Sequence, residues 1–389
     1  MPTAFKRTSL TWLMYSALST YGYFLNGLGP ITPFLKDELH LSYTVGSLHF
    51  TAFACGMVAA GLGGHWLIRR LGRRNALWLG LFGLALGGAG LALGRIPLLT
   101  VSACLLMGSL GSLVLSICAS GLSDHYAGQD ENRSVALTEA NMVASVFSVV
   151  PPLLVGWFVQ SGAGWRMSLW VALLIVVGLW AGFGKVTIPE EKPAIARGGP
   201  RSPLPVLFWA YWAVLLLAVS VEFCMVSWSV DFIEKGFNLA RAEAAQALSI
   251  FLAGMIVGRW STSLLVQRFR VVGVISASLL TAGLGFAFYW LAPLPWLSLA
   301  GLLITGLGVA PLYPLILSLA MRAAGENTDI ASARTTLASG SAIFALPLLL
   351  GGLADSVGIH AAYAVVPVLL VCAFAMLQLA GWVARGKVE

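Results

Sequence analysis

The sequence predicts an all-α membrane protein with twelve transmembrane helices in two pseudo-symmetric six-helix halves. Three observations carry that reading. Of 389 residues, 58% are hydrophobic and only 10% are charged, against roughly 25% charged in a soluble domain. One soluble core of this size could not hide so much apolar surface. Apolar runs of about twenty residues, the length that crosses hydrocarbon, alternate with short polar breaks along the chain. The chain also repeats itself: TAFACGMVAAGLGGHWLIRRLGRR at 51–74 returns as SIFLAGMIVGRWSTSLLVQRFR at 249–270. At an offset of 198, Phe53 falls on Phe251, Gly56 on Gly254, Met57 on Met255, Arg70 on Arg268 and Gly108 on Gly306.

The first half gives spans at 10–33, 45–67, 75–94, 98–121, 134–159 and 166–184. Lys6 and Arg7 precede the first run, as in a signal peptide, but the run is too long and shows no small-residue cleavage site, so it stays as a helix. The second span is rich in small residues, which let membrane helices approach closely. It ends at Arg69, Arg70, Arg73 and Arg74 around Gly72, and the third begins directly after. The fourth carries the repeated LLMGSLG, and a polar loop at 124–133 leads to the fifth. The sixth ends at Lys185. Next comes the longest non-apolar stretch, KVTIPEEKPAIARGGPRSPLP at 185–205, whose Pro, Gly and charge mark a flexible linker.

The second half gives spans at 206–232, 243–266, 271–292, 296–321, 331–354 and 361–384. The expected organisation is therefore a half at 1–184, a cytoplasmic linker at 185–205 and a half at 206–389. Helices are the only spans that suit runs this long and uniformly apolar. With both termini inside, 17 of the 23 Lys and Arg fall on inner loops and tails and five on outer loops. The positive-inside rule then places a multi-pass protein in the cell membrane with both ends cytoplasmic. The net charge of +7 is scattered over those loops rather than gathered in a stripe, so no nucleic-acid partner is expected. Five cysteines lie inside apolar runs without metal or disulfide spacing. They read as small packing residues, and no metal or cofactor is expected.

Two six-helix halves, a central inner linker and a basic loop after the second span resemble the major facilitator superfamily. Its inner-loop signature runs Gly, three residues, Asp-Arg, one residue, Gly-Arg-Arg. Here Arg70, Gly72, Arg73 and Arg74 match, while Arg69 replaces the Asp and His65 the first Gly. EFCMVSW at 222–228, GLGVAPLYP at 306–314 and GSAIFALPLLLGG at 340–352 are similar to the fucose-permease-like sugar transporters. In the first span, NGLGPITPF resembles that branch as well, but Gly29 stands where its acidic residue would fall. The resemblance implies the major facilitator fold, a cavity between halves at mid-bilayer and alternating access by rocking of the halves.

Candidate site residues are the polar groups at membrane depth. A carboxylate there costs about 2.5–3.5 kcal/mol even on insertion scales, which singles out Glu222 in the seventh span. It reads as a proton-coupling or substrate-binding carboxylate, or as a protonated Glu bonded to a neighbouring helix. Tyr23, Asn26, Asn141, Trp228 and Tyr313 are candidate substrate contacts. Amides exchange hydrogen bonds with hydroxyls, and aromatic faces suit a sugar ring. Interhelical glue and interfacial anchoring are the competing roles. The resemblance places the fifth and eighth helices side by side, so Glu139 with Arg259 could close a cytoplasmic gate, with Arg70 and Asp329 as its pseudo-symmetric counterpart. Exposed pairs contribute only about 0–1 kcal/mol, so such a gate needs partial burial.

The expected function is secondary active transport of a small polar, sugar-like solute coupled to protons. The partners are that small molecule, a proton and the bilayer, and the chain is expected to act as a monomer. With 14 Trp and 19 Phe, efflux of an amphipathic drug or metabolite stands as the alternative. No H-E-x-x-H, G-x-S-x-G or P-loop pattern occurs, so an enzyme is not expected.

Overall fold

In the computed structural model, residues 5–190, 203–325 and 327–385 are described. Most of the 185–205 linker therefore lies outside the described residues. Among these residues the secondary structure is α-helical throughout. In the first half the helices are α1 (Ser9–Glu38), α2 (Tyr43–Leu71), α3 (Arg73–Leu93), α4 (Pro97–His125), α5 (Asp130–Phe147), α6 (Val150–Gln160) and α7 (Met167–Phe183). The second half holds α8 (Val206–Phe237), α9 (Arg241–Leu265), α10 (Val271–Leu291), α11 (Pro295–Val309), α12 (Leu312–Ala324), α13 (Thr328–Val357), α14 (Ile359–Ala362) and α15 (Val365–Arg385).

Among the described residues, ten helical stretches are long and apolar enough to cross a membrane, and α7 is a shorter apolar one. The remaining span is α1, whose Ser, Thr, Tyr, Gly and Pro lower its hydropathy. Most of its 30 residues are buried in protein, so hydrocarbon is not its main solvent. Its start is set by Thr8, which forms a reciprocal capping box with Thr11, satisfying donors that the first turn leaves open. Its counterpart α8 is likewise buried over 78% of its most apolar window. Each is the central helix of its half: α1 packs on α3, α4, α5, α6 and α7, and α8 on α9, α11, α12, α13, α14 and α15.

Two spans are broken. The fifth divides into α5 and α6 just before Pro151 and Pro152, and the tenth into α11 and α12 at Pro311. Proline has no N–H to continue the ladder and crowds the preceding turn. In the eleventh span α13 passes through Pro347 without ending.

The chain separates into two compact units, Met1–Leu41 with Leu48–Ala196, and Ser42–Ser47 with Arg197–Glu389. The repeat reappears inside them as packing. A Cβ on Gly56 would sit 2.4 Å from the Leu105 carbonyl oxygen and 2.5 Å from the Ser109 nitrogen. On Gly254 it would meet the Leu303 oxygen at 2.3 Å and the Leu307 nitrogen at 3.1 Å. Every partner moves by the same 198 residues. Glycine is required at these crossings because backbone meets backbone.

The arginine loop closes the inner end of the first unit. Gly72 has φ +77, and a Cβ there would approach the Glu190 carboxylate at 3.0 Å. The Arg73 guanidinium is 3% exposed; it donates to Asp124 at 2.6 Å and to the Pro189 carbonyl at 2.9 Å, and the Arg73 backbone N–H donates to Glu190 at 3.2 Å. Arg74 donates to the Gly184 carbonyl. The matched signature arginines thus tie α3 to the end of α4 and to the segment after α7. Arg73→Ala should lower stability by about 1.5–3 kcal/mol, the range for hydrogen bonds to charged groups. Arg69→Ala, exposed in the same loop, should leave thermal unfolding in detergent nearly unchanged. Equal melting of the two variants would refute the clamp.

Candidate functional site

Glu222, half-buried, stands on α8, the helix on which the second unit is built. Arg259, exposed on the neighbouring helix α9, lies within electrostatic reach of its carboxylate. Tyr313, on α12 just after the Pro311 break, lies within electrostatic reach of Glu222. Because α8 packs on α9, α12 and α13, residues distant in sequence meet in one polar group. Tyr313 is 38% exposed, so the group is open on one side. Two opposite charges at membrane depth offset part of each other's desolvation cost. Arg259, expected to pair with Glu139 at a cytoplasmic gate, also lies within electrostatic reach of Glu222 inside its own unit.

Glu139 is engaged within the first unit by a residue ahead of α1. Arg7 donates to both its carboxylate oxygens, at 2.6 and 2.9 Å, and the Tyr15 hydroxyl donates at 3.0 Å. The Glu139 carboxylate pulls the Arg7 guanidinium above its ordinary range, chiefly through this hydrogen bond. The segment carrying Arg7 is itself anchored, since the Tyr126 hydroxyl donates to the Lys6 carbonyl at 2.8 Å. Arg70 lies over the Trp66 ring at 5.2 Å, and the side chain of Asp329 lies outside the described residues.

Two of the expected substrate contacts are buried within their own units. The Tyr23 hydroxyl donates to the Ser168 carbonyl at 2.8 Å, and the side chain is 2% exposed. Trp228 is fully buried, with its indole N–H donating to the Pro347 carbonyl at 3.1 Å and its ring 5.1 Å from that of Tyr43. In this arrangement both rings contribute to helix packing, each with its polar atom bonded to backbone. Asn26 is half-buried and Asn141 exposed; each amide bonds a carbonyl four residues back, Gly22 and Leu137 respectively. Each keeps its carbonyl oxygen and a second N–H for other partners.

Asp231, 1% exposed on α8, is a carboxylate that the sequence reading missed. It sits in SVDFIEKGF, where the neighbouring Glu234 and Lys235 suggest a span that is ending, yet the helix runs on to Phe237. Among the described residues, no group of three His, Cys, Asp or Glu could hold a metal ion. A separate cleft of about 400 Å³ between α9, α10 and α11 includes none of the candidate residues.

The family model described as Major Facilitator Superfamily matches residues 13–346. A glucose/galactose transporter of Brucella abortus biovar 1 (strain 9-941) is 25% identical over 386 residues, covering 92% of this chain and 90% of that protein. Among solved structures, the nucleoside transporter NupG aligns with a TM-score of 0.76 at 12% identity over 95% of this chain and 99% of its own. A D-xylose-proton symporter aligns with a TM-score of 0.72 at 14% identity over 95% and 96%. At these identities the structures speak for the fold alone.

Proposed function

Because the chain belongs to the Major Facilitator Superfamily, whose members are transporters rather than enzymes, we propose that it moves a small sugar-like solute across the cell membrane by proton-coupled alternating access. Both termini face the cytoplasm in this reading. The observation that carries it is the Glu222, Arg259 and Tyr313 group inside the membrane-spanning part of the second unit. A carboxylate beside a guanidinium has two states that differ in what the cation does. A proton on Glu222 removes the negative charge that acts on Arg259, and so changes how strongly the guanidinium's rigid donors are offered to solute hydroxyls. Proton and solute binding are then linked through one side chain.

Tyr313 adds a hydroxyl and a ring face, and Asn26 and Asn141 supply amides from the first unit. Glu139 with Arg7, and Arg70 with Asp329, would act at the cytoplasmic gate. The name of the Brucella relative supports a sugar as the solute class.

The test is uptake of a labelled monosaccharide panel into proteoliposomes, with and without an inward proton gradient. Accumulation of at least one sugar above equilibrium, only with the gradient, is expected. Equilibration without accumulation would remove the coupling. Silence towards every sugar would remove the solute class.

A further inference from the structure

The cleft of about 400 Å³ between α9, α10 and α11 takes no part in the polar group around Glu222, and it lies wholly within the second unit. Its origin is in how the three helices meet. α11 packs against both α9 and α10, and glycine brings it close to each. A Cβ on Gly258 would sit 2.5 Å from the Leu307 carbonyl oxygen, and one on Gly308 would sit 2.3 Å from the Ala282 nitrogen. Past these crossings α11 ends at Val309, and beyond Pro311 α12 packs mainly on α8. A gap is left, lined by Leu307, Gly308 and Pro311 at the break and by Leu265, Phe269 and Gly273 from the flanking segments. The first unit closes the same corner. At the offset of 198, Thr262 and Pro311 correspond to Gly64 and Leu113. There the Leu113 side chain lies 3.0 Å from where a Gly64 Cβ would be, on an α4 that runs unbroken.

Two features decide what the cleft can take. Its lining is mostly apolar, and the Ser261 and Thr262 hydroxyls donate to the Gly258 carbonyl, at 3.0 and 2.6 Å, so they are spent on their own helix. Leu265 and Phe269 at its edge are exposed hydrophobics, as on a surface that lipid covers. The second feature is charge. Arg270 lines the cleft and Arg268 stands two residues before it, both exposed. From Ala244 to Gly325, which takes in nearly all of α9 and the whole of α10, α11 and α12, there is no Asp or Glu. The complementary charge is therefore left to the occupant. α10 begins at the same place with no side chain capping its first turn, and its open N–H groups add positive potential there.

We propose that this cleft binds an anionic phospholipid, with one acyl chain between α9 and α10 and the headgroup phosphate held by Arg270 and Arg268 at the 266–270 turn. The planar donors of a guanidinium match phosphate oxygens, and the apolar lining takes the chain. A soluble anion would leave that lining facing water. In the topology proposed above the turn is cytoplasmic, so the lipid comes from the inner leaflet, where basic residues beside membrane helices meet anionic headgroups. The binding itself depends neither on the solute nor on its coupling to protons.

The experiment adds phosphatidylglycerol or phosphatidylcholine with identical acyl chains to the delipidated protein in detergent. Native mass spectrometry counts bound lipid, and thermal unfolding reads the stabilisation. Wild type is expected to bind phosphatidylglycerol at least about fivefold more tightly than phosphatidylcholine, the factor that one basic side chain contributes at an anionic headgroup. Arg270→Gln should remove most of that preference. Gly273→Leu should lose both lipids, because it fills the cleft from a position with nothing within 4 Å of its would-be Cβ. Gly283→Leu, equally open on the same helix but outside the cleft, should bind as wild type. Ala277→Leu, a second filling of the cleft, is read in parallel, and unfolding without lipid shows that each variant is folded. Equal affinity of wild type for the two lipids, or unchanged binding by both filled variants, would overturn the proposal. Competition by glycerol phosphate, the headgroup without chains, would make this a site for a soluble anion instead. A dimer that the filled variants disrupt, in place of bound lipid, would make it an interface between copies.

Discussion

Glu222→Gln is expected to abolish gradient-driven accumulation while leaving counterflow of the same solute intact. Glutamine keeps the shape and hydrogen-bonding atoms of a protonated Glu but cannot lose a proton. The negative charge that acts on Arg259 is then permanently absent, so solute binding no longer waits for a proton. The expected ratio of internal to external solute falls to one. Exchange of internal for external solute, which needs no net proton movement, continues within a few-fold of wild type. The loss should be at least tenfold in initial gradient-driven rate, because the step is removed rather than weakened. Wild-type accumulation by Glu222→Gln would take this residue out of the coupling. Loss of both accumulation and counterflow, with normal thermal unfolding, would make Glu222 a solute contact instead of a proton carrier.

The architecture was legible in the sequence because the bilayer leaves backbone so few choices. Runs that must satisfy every N–H internally can only be helices here, and their ends are marked by arginine and proline. Even the broken spans carry their cause in plain view at Pro151, Pro152 and Pro311. The facing of individual side chains was not legible. Tyr23 and Trp228 look like sugar platforms in one dimension, and nothing in the sequence shows that both polar atoms bond to backbone inside their units. The rotation is set by neighbours hundreds of residues away. The partner of Glu139 was hidden for a related reason, since Arg7 reads as a topology charge ahead of the first span and only the folded N-terminal segment brings it to α5.

The duplication makes the other large prediction. A Cβ on Gly108 would lie 2.0 Å from the Phe53 carbonyl oxygen, and one on Gly306 would lie 2.2 Å from that of Phe251. Neither contact is with a side chain that could rotate away, so valine at either position has to separate two helices. Overpacking costs typically about 1–3 kcal/mol even in soluble cores. In a bilayer the loss falls on the term that holds helices together, because lipid offers no hydrophobic drive and close van der Waals contact is what remains. Gly108→Val and Gly306→Val are therefore expected to lower thermal stability in detergent by similar amounts, near or above the upper end of that range. Gly178→Val, at a helical glycine with nothing within 4 Å of its would-be Cβ, should change little and controls for the general cost of a β-branched residue. Similar losses at both repeat positions would mean that the two units still share one packing rule as well as one ancestry of sequence. A large loss at one and none at the other would show that the second crossing has relaxed, and that its glycine survives there without being needed for the fold.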